Sequence, residues 1–239
     1  MPSIETCLSP ALFPFRLTKS GYIMVVVDVL RATTAFCAAL DRGFGAIIPV
    51  ADIDDAIKYK ESGFLVAAER EGEKLDFAHF GNSPAGFLAA EHTDAVLAYT
   101  TTNGTQAIKL GKDADQLITA SFSNLSAATE WIQKSESNVL ILCAGWKNTF
   151  SLEDTLCAGA IADRLLSGTK YSASCDATEA AVKLWQSVQG NPVSYVSRSL
   201  HYRRLFEKGL TDDLSYCFRV DTSNSVPLMV NGQLVKAEY

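Results

Sequence analysis

Apolar runs and polar junctions alternate along this chain, and the periodicity of each run predicts its element. Met24-Val25-Val26-Val27-Asp28-Val29 is apolar on every position until its end, the pattern of a strand buried on both sides, as in a parallel sheet. Shorter runs at 46–50, 65–69, 95–100, 116–120 and 138–144 read as further strands. Helical spacing appears at 33–40, 53–62, 84 to about 91, 106–110 and 125–133, then at 152–167, 178–188 and 195–208. A threonine hydroxyl suits the cap of the first helix, Asp52 that of the second, and Ser83-Pro84 supplies an N-cap with proline at the first helical position. Gly43 and Gly63 are stop signals. The segment to about residue 20, with Pro2, Pro10 and Pro14, reads as an irregular lead-in holding at most an edge strand. Val226–Val230, Asn231-Gly232 and 233–236 form the strongest hairpin signal, Asn-Gly between apolar runs.

Strands alternating with helices predict an α/β fold: a mostly parallel sheet with helices on both faces, a more helical C-terminal half and a closing β-hairpin. The 239 residues suit a single α/β domain, with a division into two lobes near residue 120 as the alternative. No internal repeat and no low-complexity linker divides the chain.

Bulk composition narrows the function. The chain is 48% hydrophobic, and no apolar run approaches the ~20 residues a membrane helix needs. The opening Met1-Pro2-Ser3-Ile4-Glu5 lacks the basic flank and apolar core of a secretory signal, so a cytoplasmic location is expected. A net charge of −6 argues against a nucleic-acid or anionic-membrane partner. It leaves room for a small anionic substrate, provided local arginines, helix N-termini or a bound cation offset the overall field. The six cysteines show no metal-ligand spacing and read as reduced thiols. A homodimer is the expectation for an enzyme of this size.

Chemistry gathers at the polar ends of the strands, where open α/β sheets bind ligands. Asp28 and Arg31 follow the first strand, with Thr33 and Thr34 opening the next helix. Glu69-Arg70 repeats acid then base at another strand end. Asn82 and Ser83 mark a third junction, and Thr100-Thr101-Thr102-Asn103-Gly104-Thr105 a fourth, where small donors and a glycine let backbone N–H groups approach an anion. A strand-end salt bridge, a turn and ordinary caps would account for each junction taken singly; their recurrence favours one shared crevice. A hard cation such as Mg²⁺ takes one or two carboxylates, a requirement that Asp28 and Glu69 meet. Arg31 and Arg70 would then hold phosphate or carboxylate oxygens bidentately. Glu153 and Asp154 suit either a metal or a helix dipole. Lys147 is a candidate anion contact, and His201 suits either a general acid or a helix surface.

Two phosphatase chemistries are disfavoured. A cysteine phosphatase built on Cys143 would want arginine at position 149, which is threonine, and an aspartate-nucleophile phosphatase would want an acid two residues after Asp28, where Leu30 stands.

With these residues placed, the chain resembles the 2-phosphosulfolactate phosphatase family of coenzyme M biosynthesis. The matching pieces are Val27–Thr34, Glu69-Arg70, Gly81-Asn82-Ser83-Pro84, the 100–105 loop and Glu153-Asp154, with likeness also over 199–213 and the closing hairpin. The resemblance implies an Mg²⁺-dependent phosphatase that converts 2-phospho-3-sulfolactate to 3-sulfolactate and phosphate. On that reading Asp28, Arg31, Glu69, Arg70 and His201 are catalytic. Thr33, Thr34, Asn82, Ser83, Thr101, Thr102, Asn103, Gly104, Thr105 and Lys147 hold substrate, and Asp28, Glu69, Glu153 and Asp154 hold metal. The same crevice would also suit a phosphatase for another small C3 phospho-acid, or a non-catalytic binder of phosphorylated metabolites.

Overall fold

The computed structural model describes residues 1–89, 92–168 and 170–238. β1 (Ser3–Cys7) leads through a 3-10 turn, Pro10–Phe15, to β2 (Tyr22–Val27), whose six side chains are all buried. Ile23, Val25 and Val27 enter one core, Tyr22, Met24 and Val26 the other, so the apolar run meets both faces of the sheet as its composition requires. Each such side chain, fully buried, contributes roughly 1.5–3 kcal/mol.

α1 (Ala32–Asp41) returns to β3 (Phe44–Pro49), and α2 (Ile53–Glu61) to β4 (Leu65–Arg70), which turns back as the two-residue β5 (Glu73–Lys74). α3 (Pro84–Leu88) starts as predicted on Ser83, whose hydroxyl accepts from Gly86 N–H; the expected extension to residue 91 falls partly outside the described residues. β6 (Ala95–Thr100) and α4 (Gly104–Lys109) follow, then β7 (Gln116–Ala120), α5 (Leu125–Ser135) and β8 (Asn138–Cys143). The remainder is more helical: α6 (Leu152–Leu166), the short β9 (Ser172–Ala173), α7 (Asp176–Val188), α8 (Pro192–Val196), α9 (Leu200–Glu207) and α10 (Thr211–Cys217). The hairpin is β10 (Pro227–Val230) and β11 (Gln233–Lys236).

One sheet, ordered β5-β4-β6-β3-β11-β10-β7-β2-β8-β1-β9, runs through the chain. Its ladders are parallel except at β4–β5 and around the hairpin. The hairpin sits in the middle of the sheet rather than at an edge: β11 pairs β3 and β10 pairs β7, so it joins two parallel halves that, among the described residues, do not otherwise share a ladder. No gap in the sheet falls at residue 120, since β7 pairs along its length with β2.

Three expectations are corrected. β1 is interior, between β8 and β9, because Ile4 and its neighbours find parallel partners at Val139–Leu142. The predicted helix over 195–208 is two helices, broken where Ser199 caps α9 by accepting from Tyr202 N–H. α1 has Arg31 at its cap position without a side-chain cap, because the threonine hydroxyls bond elsewhere.

α1 is buried along all but its last residue, and its alanines let the sheet close around it. Phe36 meets Tyr99 of β6 edge-on with ring centroids 4.8 Å apart, while the same core holds Met24 and Val26 of β2. The twist and curl of the sheet therefore bring the ends of β2 and β6 together although four strands separate them in order. Among the described residues, no helix is long and apolar enough to cross a membrane.

Candidate functional site

Asp28 follows the last residue of β2, and the turn after it is held entirely by short-range and buried bonds. Its N–H donates to Thr33 Oγ1 at 3.1 Å, and that hydroxyl donates back to Asp28 O at 2.9 Å. Thr34 Oγ1 donates to Val29 O at 3.0 Å. Asp154, in the first turn of α6, fastens the turn to the loop after β8: Val29 N–H donates to Oδ1 at 2.8 Å and Gly145 N–H to Oδ2 at 3.0 Å. Gly104 closes the other side. A Cβ there would stand 2.6 Å from Ala32 Cβ and 2.8 Å from Asp28 Oδ2, so only glycine lets the 100–105 loop lie against the carboxylate.

The Asp28 carboxyl borders a narrow cavity with about 260 Å³ of empty space. Residues from both halves of the sheet line it: Asp28, Trp146 and His201 on one side, Glu69, Asn82, Thr101 and Asn103 on the other, with Arg31, Arg204 and the apolar Leu30 and Leu205. Burial pushes Asp28 up to about 6; His201 opposes the rise, and Glu69 and Glu153 add to it.

Second contacts fix most of these groups. Arg31, 3% exposed, donates through Nη1 to Asp213 Oδ2 at 2.6 Å and through Nη2 to Gly72 O at 2.9 Å. Ser83 Oγ donates to the other Asp213 oxygen at 2.6 Å. Tyr99 OH, whose pKa burial raises well above the usual value, donates to Asn82 Oδ1 at 2.6 Å and leaves the amide nitrogen as Asn82's free donor. Gly72 N–H donates to Glu69 Oε1. His201 Nδ1 lies 2.7 Å from Glu153 Oε1, its ring tilted 32° against Trp146 with centroids 5.1 Å apart. Burial works against the Glu153 charge, but His201 outweighs it and holds the carboxyl below its ordinary range. One turn along α9, Arg204 lies 3.5 Å over the Trp146 ring.

Of the residues singled out from sequence, Asp28, Arg31, Glu69, Asn82, Thr101, Asn103 and His201 line the cavity, and Glu153 stands directly behind His201. Others do not reach it. Arg70 is folded onto its own strand end, donating to Glu69 O at 2.6 Å and Thr100 Oγ1 at 2.9 Å. The hydroxyls of Thr33, Thr34 and Thr105 return to backbone carbonyls, Thr105 to Thr101 O at 3.1 Å. Ser83 acts on Asp213, Gly104 backs Asp28, and both Asp154 oxygens are taken by N–H donors. Thr102 and Lys147 line a neighbouring hollow, with Lys147 Nζ 2.6 Å from Glu71 Oε1. Sequence reasoning assigned no role to Trp146, Tyr99, Arg204 or Asp213. Arg204 could have been found from its i, i+3 spacing to His201; nothing local marks Asp213.

A divalent cation fits this donor set better than a dedicated metal cage would. No group of three or more metal-ligating side chains is assembled among the described residues. Asp28 and Glu69 nevertheless face one cavity, Glu153 Oε2 is buried without a hydrogen-bond partner among the described residues, and the charges of Glu69 and Glu153 act on Asp28 against His201 and the Ala32 N–H. Such an excess of negative charge suits Mg²⁺, which needs one or two carboxylates and completes its shell with water and substrate oxygens. A wider concavity, about 1440 Å³ between α2, α4 and the hairpin, is lined by Ile48, Phe64, Leu117 and Met229 with Asp52, Asp55 and three lysines, and has neither an arginine nor a histidine on its wall.

A family model described as 2-phosphosulpholactate phosphatase matches residues 7–232. The chain is also similar to curated proteins named probable 2-phosphosulfolactate phosphatase. That of Thermotoga maritima is 38% identical over 215 residues, 90% of this chain and 92% of the relative. The protein of Caldanaerobacter subterraneus is 35% identical over 213 residues, 87% and 88% of the two chains. In Symbiobacterium thermophilum the figures are 33% over 223 residues, 92% and 96%.

Proposed function

The chain belongs to the 2-phosphosulpholactate phosphatase family, and we propose that it hydrolyses 2-phospho-3-sulfolactate to 3-sulfolactate and phosphate with Mg²⁺ as cofactor. The observation that carries this reading is the cavity itself. It combines two guanidiniums, two carboxylates and an imidazole held by a third carboxylate at the carboxyl ends of parallel strands, where α/β enzymes bind ligands. The substrate carries phosphate, carboxylate and sulfonate on three carbons, and an acidic protein binds it only through such local compensation.

Asp28 and Glu69 would hold the Mg²⁺, which supplies charge neutralisation and polarisation of the phosphoryl group. Arg31, oriented by Asp213 and Gly72 O, presents its remaining N–H groups to phosphoryl oxygens, aided by the Asn82 amide and the Thr101–Asn103 backbone. Water attacks phosphorus in line and the ester P–O bond breaks; His201 in its doubly protonated form gives its Nε2 proton to the departing alkoxide oxygen, and the proton shed by the water restores it. Glu153, accepting from Nδ1–H, fixes the ring and supports its charged form. Most of the rate comes from positioning and charge stabilisation, as expected for phosphoryl transfer.

The test is phosphate release from 2-phospho-3-sulfolactate by the purified chain, with Mg²⁺ and after chelation. Release that stops with chelator and returns with Mg²⁺ supports the proposal. Tight binding without release overturns it in favour of a non-catalytic binding protein, and faster turnover of another C3 phospho-acid reassigns the substrate.

A further inference from the structure

Arg31 is committed to Asp213 and Gly72 O on one wall of the cavity, whereas Arg204, on another, is poised without a fixed anion. Its guanidinium carbon lies 3.5 Å over the Trp146 ring, and Nη1 reaches Glu71 Oε2 at 3.0 Å. That Glu71 side chain is half exposed and also pairs with Lys147, so it is a replaceable partner. Arg204 Nε is buried with no hydrogen-bond acceptor among the described residues. Burial holds Arg204 below its ordinary range and Arg31 adds repulsion; Glu71 and Glu69 offset this only in part, and neither gives the buried Nε an acceptor, so the guanidinium has room for a further anion.

We infer that Arg204 determines specificity by taking the sulfonate of the substrate, in exchange for Glu71, while Arg31 takes the phosphoryl group. This rests on the phosphatase reading above. A sulfonate is weakly basic, stays ionised at every working pH and offers three oxygens; it matches a weakly hydrated planar guanidinium resting on an indole better than it matches an ammonium. The carboxylate shares its carbon with the phosphate ester and stays on the Arg31 side, with the sulfonate one carbon further out. His201 and Arg204, three residues apart on α9, then read the two ends of one ligand: the ester oxygen and the terminal anion.

The experiment compares kcat/KM for 2-phospho-3-sulfolactate and for 2-phospholactate, which lacks only the sulfonate, in the wild type, Arg204→Gln and Arg204→Lys. Loss of a charge-assisted contact predicts that the preference for the sulfonated ester falls about 100-fold in Arg204→Gln and less in Arg204→Lys, which keeps the charge but loses the fork. The two variants should unfold at wild-type denaturant midpoints; if Arg204→Gln does not fold, Arg204→Lys carries the comparison. Equal losses on both esters would put Arg204 on the phosphoryl or carboxylate group and overturn the inference, as would an unchanged preference. A wild type that releases phosphate from neither ester fails the phosphatase reading itself, a separate result seen without any variant.

Discussion

Asp213→Asn is the most demanding test of the cavity wall, because it changes one oxygen to nitrogen and removes a charge with almost no change in volume. Asp213 is buried, accepts from Arg31 Nη1 and Ser83 Oγ at 2.6 Å each, and as asparagine would leave Arg31 only neutral acceptors, Gly72 O and one amide oxygen. Removing one member of a buried pair costs about 3–5 kcal/mol, chiefly through the charge left uncompensated. Urea denaturation should show the midpoint falling by more than about 1 M with little change in slope. The double variant Arg31→Met/Asp213→Leu should recover most of that stability while remaining inactive, since an apolar pair of similar volume replaces a buried ion pair at little cost. A loss below about 1 kcal/mol in Asp213→Asn, or a double variant less stable than either single one, would refute the assignment of Asp213 as the group that holds Arg31.

Gly104→Ala should lower turnover about 100-fold or more with a small change in global stability, because the new methyl displaces the Asp28 carboxylate by a fraction of an ångström; unimpaired phosphate release would refute it. Of the six thiols, half-buried Cys175 should react first with a disulfide reagent at pH 8 in the native state. Burial raises Cys7 to about 11, Cys37 to about 12, and Cys143 and Cys157 well above the ordinary value; mass spectrometry of the labelled chain reads the order. Asp221 is buried enough to oppose its charge, yet bonds from Ser126 and Arg164 hold its carboxyl below the usual range. Its contribution is therefore present above the ordinary carboxylate pKa and lost as pH falls through the lowered one. Asp221→Asn, which tolerates the same φ of 56°, should cost less than about 1 kcal/mol at pH 7 by denaturant unfolding, since solvent screens the exposed pair, with the gap to wild type closing as pH falls through that lowered range.

Much of the fold was legible because its signals are local. The doubly buried β2, the Ser83-Pro84 helix start and the Asn231-Gly232 hairpin each carry their reason within a few residues. What lay hidden depends on partners far along the chain. The hairpin's own pairing could be read, but its insertion between β3 and β7 could not, since that depends on two strands more than a hundred residues away. Asp213 meets Arg31 across 182 positions. The position of Arg70 off the cavity was legible: side chains alternate along a strand, so once Glu69 faces the cavity its neighbour points away. Thr33 and Thr34 misled for a different reason. Hydroxyls in the first turn of a helix serve nearby carbonyls as readily as a ligand, and here the carbonyls of Asp28 and Val29 were closer.

The central hairpin has a bearing on how the protein is made. Asp28 with Trp146 and Glu69 with Asn82 stand on separate halves of the sheet, bridged by ladder bonds only through residues 227–236. A chain emerging from the ribosome thus carries every reactive group well before it carries the clasp that sets their spacing. Nascent or clipped molecules lacking residues 227–236 should fold each half loosely and remain catalytically silent, so that competence arrives only with the hairpin.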